Sequence, residues 1–201
     1  MDLIVITSEK EVKDEAVIIN ELFYKGLSVL HFRKPYISKE MTMELLSQID
    51  AGYRHRVVLH DHFDLRDLFT IKGIHLNMRN RDIPEKFRLS VSKSCHSFDS
   101  LKDIERFDYV FLSPLYKSIS KQGYVSDFSH EELMEACGNN IINEKVIALG
   151  GVNMSNLEKT AEYGFGGVAV LGVLWNEYEC TADKGILIKK FMDLKDKCSR
   201  L

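Results

Sequence analysis

Eight short apolar runs rich in β-branched residues alternate with helix-patterned or polar stretches along the whole chain, and few folds accommodate that repeat. The runs are Leu3 to Thr7, Ser28 to Arg33, Val57 to His60, Gly73 to Asn77, Leu89 to His96, Tyr109 to Leu115, Lys145 to Gly150 and Gly167 to Gly172. Between them, apolar residues at helical spacing predict amphipathic helices, as in Val12, Ala16, Ile19, Leu22 and Phe23, or Met41, Leu45, Leu46 and Ile49. Nearly continuous apolar strands are the pattern of a parallel sheet covered on both faces. An open doubly wound sheet shares this alternation, but the turn after the first run is Ser8-Glu9-Lys10, without a Gly-x-Gly-x-x-Gly fingerprint. Eight units predict closure, so the expectation is an α/β protein with a single (β/α)8 TIM-barrel domain over residues 1–201. The stretch Arg79 to Pro84 departs from the pattern and predicts a long loop with at most a helical turn.

A chain of 201 residues, 45% hydrophobic, is long enough to bury one substantial core. With 27 basic against 30 acidic residues it has no electrostatic excess for holding a polyanion, so nucleic acid is not an expected partner. No apolar run reaches the length of a membrane span, and Met1 to Lys10 lacks the pattern of a secretion signal. The cysteines Cys95, Cys137, Cys180 and Cys198 are widely spaced, which suits reduced thiols in a cytoplasmic protein. Trp175 is an apolar residue that a homodimer would bury.

In such a barrel the chemistry gathers where the strands end. Five consecutive strand ends here carry polar groups: His31-Phe32-Arg33-Lys34, His60-Asp61-His62, His75-Leu76-Asn77, Ser94-Cys95-His96, and the stretch leading into Ser118, Ser120 and Lys121. The seventh and eighth end instead in Gly150-Gly151-Val152-Asn153 and Leu171-Gly172-Val173. Glycines there let backbone N–H groups approach an anion at a helix N-terminus, which reads as a phosphate site. The same Gly-Gly also fits a tight turn before a helix capped by Asn153. His75 and His96 fit either catalysis or satisfied interior packing, and His55 and His130 read as surface residues. His60 and His62 share a side in an extended strand and make a weak zinc motif.

These residues together resemble the family of thiamine-phosphate synthase and thiazole tautomerase over almost the whole length. The stretches that carry the resemblance are Val5-Ile6-Thr7-Ser8, His31-Phe32-Arg33-Lys34-Pro35, Gly73-Ile74-His75-Leu76, Ser94-Cys95-His96-Ser97, Ser113-Pro114-Leu115-Tyr116 and Ala148-Leu149-Gly150-Gly151-Val152-Asn153. The resemblance implies an enzyme that couples a hydroxymethylpyrimidine diphosphate to a thiazole phosphate and releases diphosphate under Mg²⁺. It implies Arg33 as a catalytic residue and Asp61 as the metal ligand; His31 and His96 join the catalytic candidates as imidazoles able to shuttle protons. Lys34, Ser94, Ser118, Ser120, Lys121, Gly150, Gly151, Leu171 and Gly172 would bind the phosphorylated heterocycles. Three positions depart from the family pattern: its glutamine is His31, its motif lysine falls on Pro35, and its second acidic Mg²⁺ position falls on Asn80. A tautomerase moving a proton on a thiazole phosphate carboxylate is the first alternative, although its usual histidine position holds Pro114. A non-catalytic binder of thiamine phosphate or thiazole phosphate is the second.

Overall fold

A computed structural model of the chain describes residues 1–116 and 128–201. Its eight strands are β1 (Asp2–Ile6), β2 (Val29–Phe32), β3 (Val57–Leu59), β4 (Gly73–Leu76), β5 (Ser90–Cys95), β6 (Tyr109–Leu112), β7 (Val146–Leu149) and β8 (Gly167–Val170). Each pairs in parallel with the next, and β1 closes on β8 with Val5 opposite Val170, so the sheet is a complete barrel. Seven of the strands lie within the runs that predicted them, and β1 begins one residue earlier, at Asp2. Closure is possible because each strand has two neighbours, which leaves no unpaired edge.

The helices are α1 (Glu15–Tyr24), α2 (Lys39–Gln48), α3 (His130–Gly138), α4 (Leu157–Glu162), α5 (Gly172–Thr181) and α6 (Lys184–Cys198). Ser38 caps α2 by accepting from the Met41 amide, and Ser129 and Glu132 form a reciprocal capping box on α3. Between β4 and β5 the chain has no helix, as the polar composition of that stretch predicts. None of the described helices is long and apolar enough to cross a membrane.

Strand alternation divides the core. Leu3, Val5, Leu30, Leu59, Ile74, Val110, Val146 and Val168 turn outward to pack with Ile18, Leu22, Leu157, Trp175 and Phe191 of the surrounding helices. The inward set is of two kinds. From β6, β7, β8 and β1 come Phe111, Ile147, Ala169, Ile4 and Ile6, an apolar cluster. From β2 to β5 come His31, His75, Ser92 and Ser94, with His60 one residue beyond the end of β3.

Trp175 is fully buried and donates from its indole N–H to the Ile6 carbonyl at 2.8 Å, so it is core and corrects the expectation that it faces a dimer partner. Its placement follows from α5, which starts at the mouth and lays its apolar face on the outer wall of the barrel. All four cysteines are free thiols.

Candidate active site

At the C-terminal mouth of the barrel lies a cavity of about 500 Å³. Apolar side chains of Ile6, Phe111, Leu149 and Ala169 line its depth, while Arg33, Arg79, Ser94 and His96 supply polar groups. Gly150, Gly151 and Gly172 line it with backbone. Gly150 has φ +100°, and a Cβ there would meet the Pro114 Cα at 3.0 Å, so glycine is required by both conformation and space. Gly151 also has positive φ, and Gly172 is the first residue of α5. Helix α4 begins only at Leu157, and Asn153 serves the turn before it, its carboxamide oxygen accepting from Ser155. The expected Asn153 helix cap is therefore corrected, because the turn is longer than a two-residue connection.

Beneath the polar side of the cavity sit three buried imidazoles. His31, His60 and His75 come from three adjacent strands, and their nearest nitrogens lie within 4.8 Å of one another. His31 Nδ1 meets His60 Nε2 at 2.8 Å and its Nε2 meets the Tyr109 hydroxyl at 2.6 Å. In either tautomer the neutral His31 ring donates through one nitrogen and accepts through the other. His75 Nδ1 pairs with Ser92 Oγ at 2.8 Å and Nε2 with Ser94 Oγ at 2.9 Å. Burial, reinforced by mutual repulsion, pushes His31 and His60 well below the usual histidine range, and burial lowers His75 to about 3. All three are thus neutral near pH 7. The rings of His60 and His75 stack with centroids 4.3 Å apart and 23° between planes, so their in-plane lone pairs run side by side and do not converge. The arrangement is a hydrogen-bonded one. His62 takes no part: it adopts a left-handed conformation at the start of a 3-10 turn and points toward the Ile37 carbonyl.

Asp61 lies at the rim with its carboxylate engaged. Arg79 donates from Nε to Oδ1 and from Nη2 to Oδ2, both at 3.0 Å, and Asn80 donates from Nδ2 to Oδ1 at 3.0 Å. Arg33 pairs with Glu9 of the neighbouring loop after β1, at the mouth. His96, exposed at the rim, donates from Nδ1 to the Ser113 carbonyl at 2.9 Å, which leaves Nε2 of the neutral ring as an acceptor.

Of the residues expected at the site, Arg33, Ser94, His96, Gly150, Gly151, Leu171 and Gly172 line the one cavity. His31 lies below it, hydrogen-bonded to His60 and packed on His75 and Phe111, which line it. Lys34 is elsewhere: it is 3% exposed, pairs with Glu15 at 2.5 Å, and borders a second, smaller cavity between α1 and α2. The cause is parity, since Lys34 follows Arg33 and points to the opposite face of the chain. Ser118, Ser120 and Lys121 lie outside the described residues. Arg79 was missed as a site residue because it falls in a loop with no periodicity; its only sequence signal is a cation next to the position where the family has an acid.

The family model described as thiamine monophosphate synthase matches residues 3–174. The fold is similar to that of thiamine phosphate pyrophosphorylase from Bacteroides thetaiotaomicron, with a TM-score of 0.89 and 41% identity over 97% of this chain and 96% of that one. A pyrophosphorylase from Pyrococcus furiosus shares the fold with a TM-score of 0.77 at 19% identity, covering 99% of this chain and 96% of that one. Among curated relatives, the thiamine-phosphate synthase of Methanococcus maripaludis is 22% identical over 93% of this chain and 95% of its own length.

Proposed function

The chain belongs to the thiamine monophosphate synthase family, and from that premise we propose that it couples a hydroxymethylpyrimidine diphosphate to a thiazole phosphate, acting as a transferase of thiamine biosynthesis. The observation that carries this reading is one cavity with two different polar ends. The Gly150–Gly151 turn and the N-terminus of α5 at Gly172 offer backbone N–H groups and partial positive charge, which suit the phosphate of the thiazole. Arg33 and Arg79 offer guanidinium groups, which suit the diphosphate. Between them the apolar walls of Ile6, Phe111 and Leu149 accept flat heterocycles. Ser118, Ser120 and Lys121 are assigned to the thiazole phosphate on the resemblance.

In the reaction the lone pair of the thiazole nitrogen forms a C–N bond to the pyrimidine methylene carbon, while the C–O electron pair leaves with diphosphate. No proton is exchanged, and the neutral histidines accordingly act as positioning residues that shape the polar wall. Charge developing on the leaving oxygens is what the protein has to stabilise, and preorganised cations in a water-poor cleft do this most effectively. Arg33 takes that role directly.

Family membership implies Mg²⁺ at Asp61. The donor set does not fit it: both Asp61 oxygens already accept hydrogen bonds, a guanidinium occupies the place where a second cation would be repelled, and the neighbouring acidic position is the amide Asn80. No step is therefore routed through the ion. The tautomerase reading draws no support from the relatives named above, all of which are synthases or pyrophosphorylases. Four unpaired cysteines favour a reducing compartment, and the proposed location is the cytoplasm. The test is to mix purified protein with both phosphorylated substrates and follow thiamine phosphate by mass, omitting each substrate in turn. Product that requires both supports the coupling; isomerisation or mere binding of the thiazole would replace it.

A further inference from the structure

We propose that Arg79, held by Asp61, takes the place of a divalent cation, so that this chain binds a diphosphate group without metal between Arg79 and Arg33. The inference rests on the coupling reading for its biological ligand, but the site is defined by its own geometry.

Arg79 is set in a wired loop. The Asn77 carboxamide oxygen accepts from the Arg79 amide at 2.9 Å and from the Asn80 amide at 3.2 Å, while its nitrogen donates to the His60 carbonyl at 2.8 Å. Asn80 donates to the same His60 carbonyl at 2.9 Å as well as to Asp61. This turn ties the loop after β4 to the end of β3 and fixes the backbone from which the guanidinium projects. The planar Arg79–Asp61 fork then fixes the side chain itself.

A guanidinium has five N–H donors, and the fork consumes two. The remaining three include both on Nη1, which has no acceptor among the described residues, and the side chain is 41% exposed on the cavity that Arg33 also lines. An arginine so placed presents preoriented donors to phosphate oxygens, at little entropic cost because its own rotamer is already fixed.

Charge arithmetic points the same way. A divalent ion between two carboxylates forms a neutral group. A guanidinium on one carboxylate beside an amide is also neutral, so the Asp61–Arg79–Asn80 arrangement delivers the same net charge with no ion to recruit. A free Mg²⁺ entering the Asp61 oxygens would have to displace Arg79 and Asn80 and face the freed guanidinium at close range.

Calorimetric titration with inorganic pyrophosphate tests this on the intact protein, in EDTA and then in excess Mg²⁺, for wild type, Arg79→Ala and, as a control, Arg81→Ala on the same loop but off the cavity. Wild type and Arg81→Ala are expected to bind pyrophosphate in EDTA with a Kd that Mg²⁺ changes by less than about threefold, and Arg79→Ala to bind at least ~10-fold more weakly, the loss of one charge-assisted contact. Arg79→Lys, which keeps the charge but not the fork, is expected to fall between them. No binding in EDTA, tightening of more than tenfold by Mg²⁺, or an Arg79→Ala variant equal to wild type would each overturn the proposal. The coupling assay separates the two readings. Metal-free, Arg79-dependent pyrophosphate binding without thiamine phosphate formation leaves this site standing and removes the coupling, whereas turnover abolished by EDTA keeps the coupling and removes this site.

Discussion

Acidification should unfold this protein through its buried histidines, and the size of the effect follows from their burial. His31, His60 and His75 are 0%, 3% and 0% exposed and are held neutral in the folded chain. Their folded pKa lies below the unfolded value of about 6.5, so the stability each contributes is present above that pH and lost as pH falls beneath it. At about pH 5 an unfolded histidine is mostly protonated while the folded one is not, and the difference is about 2 kcal/mol per residue. Three such residues approach the entire stability of an ordinary domain, roughly 5 to 15 kcal/mol. Glu15 works in the opposite sense: burial raises its carboxyl to about 7, so its contribution improves as pH falls from there toward the unfolded value near 4.5. The histidine contribution is isolated by comparing wild type with His75→Asn in urea-unfolding series between about pH 7.5 and about pH 5. Removal of His75 is expected to shrink the pH-dependent loss of stability by about 2 kcal/mol, whatever it does to the absolute value at neutral pH. Parallel pH profiles for the two proteins would refute the claim that the buried imidazole resists protonation.

Other perturbations probe the remaining parts of the structure. Lys34→Ala removes the partner of Glu15, whose carboxyl burial already raises to about 7, so Glu15 takes up a proton near neutral pH and chemical denaturation should report a loss of about 1 to 3 kcal/mol, with the Kd for thiazole phosphate little changed. Trp175→Phe removes the hydrogen bond to the Ile6 carbonyl and should lower stability by about 1 to 3 kcal/mol in the same assay, with no change in sedimentation behaviour. Gly150→Ala meets both a strained φ and the Pro114 backbone, and is expected to weaken thiazole phosphate binding at least tenfold by calorimetry while costing about 1 to 3 kcal/mol of stability. Arg33→Ala should lower the rate of thiamine phosphate formation by roughly 100-fold or more, the scale of losing one preorganised charge contact to a leaving group; an unaffected rate would remove Arg33 from the diphosphate end.

The strands, the barrel and the location of the mouth were legible in the chain itself, because eight apolar runs separated by helix-period segments can hide their surfaces in few ways. The Gly150–Gly151 turn and the polar strand ends were legible for the same local reason: glycine and strand termini carry their meaning within a few residues. Tertiary structure decided what met what. That His31, His60 and His75 share one buried hydrogen-bonded wall depends on the register between β2, β3 and β4, which fixes their height in the barrel and has no signature in any one segment. Lys34 and Asp61 found Glu15 and Arg79 as partners because long charged side chains choose among neighbours only once the strands and loops are assembled. Trp175 became core because the face α5 presents is set by how the helix lands on the barrel, and its own apolar pattern is too weak to declare it.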